Sequence, residues 1–117
     1  MERVKIWHNS RCSKSRDSFK LLEEKGIDVE VVTYLDSKLE KEELKNILKM
    51  LGMTSARALM RTKETIYKEL NLKDETSEDA LIEAMIKHPK LIERPIVIKN
   101  NRAVIGRPIE KVIELIS

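Results

Sequence analysis

Residues 4–32 read VKIWHNSRCSKSRDSFKLLEEKGIDVEVV, and the period of their apolar positions changes twice. Val4 and Ile6 alternate with Lys5 and Trp7, the two-residue period of a short strand. Residues 9–15 are polar, after which Phe19 and Leu22, with Leu21 beside them, mark one face of a helix closed by Gly26. Ile27, Val29 and Val31 then alternate with Asp28, Glu30 and Val32 and give a second strand. The order β-α-β favours a parallel pair, because a crossover through a helix returns the chain in the same direction.

Outward from this unit the pattern turns helical. Leu44, Ile47, Leu48 and Leu51 fall at i, i+3, i+4 and i+7, and Gly52 ends that helix. Thr54 or Ser55 can cap a short piece running from Ala56 to Met60. Thr76 with Asp79 resembles a capping box, opening a helix whose inward residues are Leu81, Ile82, Met85 and Ile86 and which Pro89 closes. Strands return with Ile96-Val97-Ile98 and Ala103-Val104-Ile105, and Asn100-Asn101 between them reads as a tight hairpin. Pro108 suits the first position of a last helix carrying Ile109, Val112, Ile113 and Ile116. The expected class is α/β, with a thioredoxin-like layout of helices on a four-stranded mixed sheet: β-α-β, a helical insert, then β-β-α. With no repeat and no linker, residues 1–117 read as a single domain whose helical insertion spans about 36–92.

Composition agrees with one modest core. Of 117 residues, 41% are hydrophobic and 37% charged, too apolar a balance for a disordered chain. A net charge of +3 argues against a nucleic-acid partner on bulk electrostatics, with a slight basic surplus after Arg94. No apolar run approaches the roughly eighteen residues of a membrane span. Met1-Glu2-Arg3-Val4-Lys5 turns charged before a signal peptide could develop, so a cytosolic protein is expected; a monomer is expected as well.

The lone cysteine, Cys12, lies between the first strand and the first helix. One thiol makes neither an internal disulfide nor a structural metal site. A helix start offers unpaired N–H groups and partial positive charge, and Arg11, Lys14 and Arg16 stand nearby. Such surroundings lower a thiol pKa from its free value of about 8.5. The competing reading, a small buried filler, fits poorly with neighbours this polar. Ser15 replaces the second thiol of a Cys-x-x-Cys pair, so any redox turnover needs an external thiol. Ser18 stands where a phosphatase loop requires arginine, which excludes that reading. His8 either tunes the thiol or is a hydrogen-bonded structural histidine. Arg94-Pro95 and Arg107-Pro108 lie at element junctions, and Arg61 follows the short middle helix. Arginine's planar fork suits a tetrahedral anion. In thioredoxin-like layouts a proline at the position of Pro95 is typically cis and beside the active cysteine.

His8-Asn9-Ser10-Arg11-Cys12-Ser13-Lys14-Ser15-Arg16 resembles the active-site segment of the glutaredoxin-linked arsenate reductases, the ArsC family. The resemblance continues through Gly52, Arg57-Ala58-Leu59-Met60-Arg61, Tyr67-Lys68-Glu69-Leu70, His88-Pro89 and Arg94-Pro95-Ile96-Val97 to Gly106-Arg107-Pro108. It implies reduction of arsenate to arsenite, with Cys12 as nucleophile and His8 and Ser15 influencing the thiol. It also implies Arg61, Arg94 and Arg107 as the oxyanion clamp, no bound cofactor, and glutathione and glutaredoxin as reductants. Two other readings share the fold: a regulator similar to Spx that binds RNA polymerase, and a related thiol protein with a different small substrate.

Overall fold

The structure is a computed structural model and describes residues 4–36 and 38–117. In chain order its strands and α-helices are β1 (Val4–Trp7), α1 (Ser13–Glu24), β2 (Val29–Val32), α2 (Lys41–Leu51), α3 (Thr65–Glu69), α4 (Glu78–Lys87), β3 (Ile96–Lys99), β4 (Arg102–Ile105) and α5 (Glu110–Ile116). They fall into two compact units, the first from both ends of the chain (Met1–Ser37 with Arg94–Ser117) and the second from its middle (Lys38–Glu93). Arg3, which the sequence places on an exposed strand position, lies outside the described residues.

The first unit is a four-stranded mixed sheet in the order β2-β1-β3-β4. β1 runs parallel to β2, with Val4 opposite Val29 and Trp7 opposite Val32, and antiparallel to β3, with Ile6 opposite Val97. The sheet is thioredoxin-like, as the sequence pattern predicts. The β3-β4 hairpin turns on Asn100 and Asn101 at φ 53° and 61°, the left-handed pair that a two-residue turn of matching twist needs. One face of the sheet carries Val4, Ile6 and Val97, packed with Leu22 of α1 and Val112 and Leu115 of α5. Burying each such side chain is worth about 1.5–3 kcal/mol. On the opposite face of β1, buried Trp7 stacks on buried Tyr34 with ring centroids 5.8 Å apart.

Several local expectations shift. β2 begins at Val29, because the Ile27 N–H instead donates to the Leu22 carbonyl as the chain leaves α1. α5 starts at Glu110, two residues after Pro108, whose carbonyl accepts the Lys111 N–H at 3.1 Å. Its buried stripe is Val112 and Leu115, one turn apart, which leaves Ile113 off the stripe and 40% exposed.

In the second unit α2 buries Leu44, Ile47 and Leu48, opens on a Glu40–Glu43 capping box and ends on Gly52 at φ 72°. Ser55, one of the two caps foreseen, accepts the Arg57 N–H and starts a 3-10 turn over Ala56–Leu59. The cap of α4 is Ser77, which accepts from Ala80 N–H; the expected Thr76–Asp79 box does not form because Thr76 lies one residue too early. Arg57 ties this unit together, donating to the Tyr67 hydroxyl at 2.5 Å, the Leu72 carbonyl at 2.8 Å and the Glu75 carbonyl. It anchors α3, a helix too short for the sequence pattern to reveal. Among the described residues no helix is long and apolar enough to cross a membrane.

Gly106, just after β4, leaves no room for a side chain. A Cβ there would stand 2.6 Å from Ser18 Oγ, 2.8 Å from Pro95 Cγ and 3.2 Å from Val112 Cγ2. Gly106→Ala is therefore expected to lower stability by about 1–3 kcal/mol through overpacking, read as a drop in the urea midpoint. Adding Ser18→Ala removes the tightest contact and should recover part of the loss. Additive effects of the two changes would contradict this.

Candidate active site

His8 to Cys12 make the turn between β1 and α1, and backbone and side chain hold it in shape. The Cys12 N–H donates to the Asn9 carbonyl at 3.0 Å, and the Arg11 N–H donates to Asn9 Oδ1 at 3.0 Å. The Asn9 N–H donates to Ser15 Oγ at 2.9 Å, and Arg16 reaches back from the helix to give Nη1 to the Ser10 carbonyl at 2.9 Å. Cys12 occupies the cap position of α1 and makes no side-chain cap bond. Its sulfur is half-buried, and burial alone would raise the thiol pKa. The backbone N–H of Ser15, the Arg94 side chain and the backbone N–H of Lys14 outweigh that, and the thiol is held below its ordinary range. Arg107 Nη2 also lies 3.2 Å from Sγ and donates to it.

His8 Nδ1 is 2.7 Å from Ser15 Oγ, and Ser15 is fully buried. Ser15 Oγ also accepts the Asn9 N–H and keeps a second lone pair and its proton, so the imidazole tautomer sets the direction of the His8 bond. Burial first, and the nearby positive charge of Arg16 second, hold His8 below its ordinary 6.5. The His8 ring signals are accordingly expected to titrate with a midpoint under 6.5 by NMR. Arg16→Gln should raise that midpoint only in part, since burial is the larger cause. The folded protein binds less proton than the unfolded chain just under pH 6.5, so this group's contribution is full above 6.5. It is lost as pH falls from there through the folded value. A midpoint above 6.5 would contradict the assignment.

Arg94-Pro95 and Arg107-Pro108 are both cis peptide bonds. Pro95 is buried, and its carbonyl accepts the Gly106 N–H at 2.9 Å, joining the start of β3 to the end of β4. Arg107 Nε donates to the Arg94 carbonyl at 2.7 Å while Nη2 points at the sulfur, so one guanidinium spans both. Arg94 Nε is buried without a hydrogen-bond partner among the described residues, a donor with capacity for a ligand. Cys12, His8, Ser15, Arg94, Pro95 and Arg107 thus lie together at one edge of the first unit. Arg61 belongs to the second unit, where its N–H donates to the Leu91 carbonyl at 2.6 Å and its Nε lies 3.4 Å from Glu64 Oε1.

Two features differ from the sequence reading. The charge acting on Cys12 comes from Arg94 and Arg107, remote in sequence, whereas Arg16 is turned to the Ser10 carbonyl and Arg11 is exposed. Asn9, which the sequence reading left without a role, organises the turn through three hydrogen bonds. An asparagine just ahead of a helix start is the signal that could have found it, since its short amide closes a turn on its own backbone.

This geometry can stabilise a thiolate and present arginine donors to an anion beside it. Known proteins resemble this chain over nearly its whole length. It is 56% identical over 116 residues to the uncharacterized protein YfgD of Escherichia coli K12, covering 98% of each. It is 51% identical over 113 residues to an arsenate reductase of Neisseria meningitidis serogroup A, covering 96% of this chain and 97% of the relative. The solved arsenate reductase of Vibrio cholerae superposes with a TM-score of 0.92 at 53% identity, covering 96% of each chain. The family model described as ArsC family matches residues 7–115, and the chain belongs to the ArsC family.

Proposed function

We propose that this protein reduces arsenate to arsenite, with Cys12 as nucleophile and glutathione and glutaredoxin as electron donors. The observation that carries the reading is the contact of Arg107 Nη2 with Cys12 Sγ at 3.2 Å, beside an Arg94 whose Nε has no partner among the described residues. Relatives and solved structures at about half identity that bear the name arsenate reductase support it.

The Cys12 thiolate attacks arsenic; an S–As bond forms, an As–OH bond breaks, and the hydroxide takes a proton from solvent and leaves as water. Arg94 and Arg107 offset the charge of the oxyanion. His8, neutral and bonded to Ser15, holds the buried serine beside the thiol. Glutathione then condenses on the arsenic with loss of a second water. A glutaredoxin thiolate attacks the glutathione sulfur, forming a disulfide and leaving the S–As electron pair on arsenic, which passes from the +5 to the +3 state. Hydrolysis of the remaining Cys12–As bond frees arsenite and the thiol. With a single cysteine in the chain, the second and third thiols are external.

The test is a coupled assay of arsenate reduction with glutathione, glutaredoxin and a regenerating reductase. Arsenate-dependent reductant consumption that stops when glutathione is omitted is expected. Consumption that is insensitive to arsenate would overturn the proposal.

A further inference from the structure

We infer that a cleft on the flank of the Cys12 turn away from the arginines binds the thiol co-substrate, a small peptide thiol carrying both an ammonium and a carboxylate. The inference rests on the reaction proposed above and adds where its second reactant sits.

The cleft has a volume of about 430 Å³, within the few hundred to a thousand that small-molecule sites occupy. That room suits a tripeptide and not a protein domain. One wall is the turn itself, His8 to Arg11; the other is the chain beyond β2, with Thr33, Leu35 and Asp36. Strand order explains its placement. β1 and β2 run parallel and β3 antiparallel to β1, so the ends of β1, β2 and β4 and the start of β3 share one edge. Along that edge come Thr33–Asp36, the Cys12 turn, Arg94-Pro95 and then Arg107. The arginines reach the sulfur from the β3-β4 side, while the cleft opens on the β2 side.

Its chemistry is that of a zwitterion site. Arg11 supplies a cation, Asp36 an anion, and Leu35, 38% exposed, an apolar surface for methylene groups. An oxyanion would meet the Asp36 carboxylate here, whereas the opposite flank presents arginine donors to it. The wall is fixed in advance by the bonds of Asn9 and by Arg16 on the Ser10 carbonyl, which reduces the ordering cost of binding. Cys12 is tied to the same wall through its N–H on the Asn9 carbonyl. A thiol held here condenses with arsenic on Cys12: an S–As bond forms, an As–O bond breaks, and the thiol proton leaves with that oxygen as water.

The test uses S-methylglutathione, which binds without reacting, titrated into the intact protein by amide NMR. Shifts confined to residues 8–11 and 33–36 are expected, and Asp36→Lys should weaken binding by about fivefold or more, the scale of one exposed ion pair lost and reversed. Asp36→Asn should raise the KM for glutathione and leave the KM for arsenate unchanged. Shifts elsewhere, or an Asp36→Lys protein that binds as wild type, would overturn the inference. Binding in the cleft by a protein that fails to reduce arsenate would sink the proposed reaction and leave the cleft standing. Glutathione-dependent reduction that Asp36→Lys does not alter would do the reverse.

Discussion

Cys12→Ser is expected to lower arsenate turnover by at least about a thousandfold, the scale seen when an obligatory nucleophile is removed. Serine fills the same cap position, yet its hydroxyl stays protonated in surroundings that hold the thiol below its ordinary range. The fold should survive, because Cys12 is half-buried and makes no side-chain cap bond whose loss would unravel α1. The same thiol gives a second readout in the wild type: the pH midpoint of iodoacetamide alkylation should fall below about 8.5. Arg94→Ala should move that midpoint up. A serine variant within tenfold of wild type, or sustained turnover without any added thiol, would remove Cys12 from its proposed role.

Loss of either arginine beside the sulfur should be the next largest effect. Arg94→Ala and Arg107→Ala each remove charge-assisted hydrogen bonds worth about 1.5–3 kcal/mol, so kcat/KM for arsenate should drop by roughly ten- to a hundredfold. Lysine at either position keeps the charge and loses the fork, and should restore part of the rate. At Arg107 lysine also lacks the second nitrogen that now holds the Arg94 carbonyl, so rescue should be poorer there. Arg102, exposed at the start of β4, is the control and should be nearly silent. Equal losses at Arg102 and at the other positions would rule out a specific anion site.

The legible parts of the fold are those in which one residue type has one physical reason to be where it is. The alternation of Val4 and Ile6, the Gly52 stop and the Asn100-Asn101 turn each name an element without help from the rest of the chain. α3 and the register of α5 were not legible. The first depends on Arg57, which is bound by a hydroxyl and two carbonyls distant in sequence; the second depends on which face the sheet offers. The site divides the same way. Cys12 at a helix start is visible as a string, and so is Ser15 in place of a second thiol. Which cations serve the sulfur is not visible, because nearness in sequence pointed to Arg11, Lys14 and Arg16, while chain folding selected Arg94 and Arg107. The placement of Arg107 depends on the Arg94 carbonyl, a contact no local pattern encodes.

The sheet that carries the site is built from the two ends of the chain, with the helical unit threaded between them. This has a consequence for the order of events during synthesis. The pair Ile6 and Val97 joins residues about ninety positions apart, a long loop to close, and non-local pairings of this kind form slowly. Lys38–Glu93 is contiguous, so the contacts inside that unit are nearer in sequence. A nascent chain therefore exposes Cys12 well before the β3-β4 hairpin, with Arg94 ahead of it and Arg107 behind it, has left the ribosome. During that interval the sulfur lacks the guanidinium groups that lower its pKa, and it is a more ordinary thiol than in the finished protein. The start of α1 supplies the backbone share of the activation early, and the arginine share arrives only when the last strands dock, together with the anion site it serves.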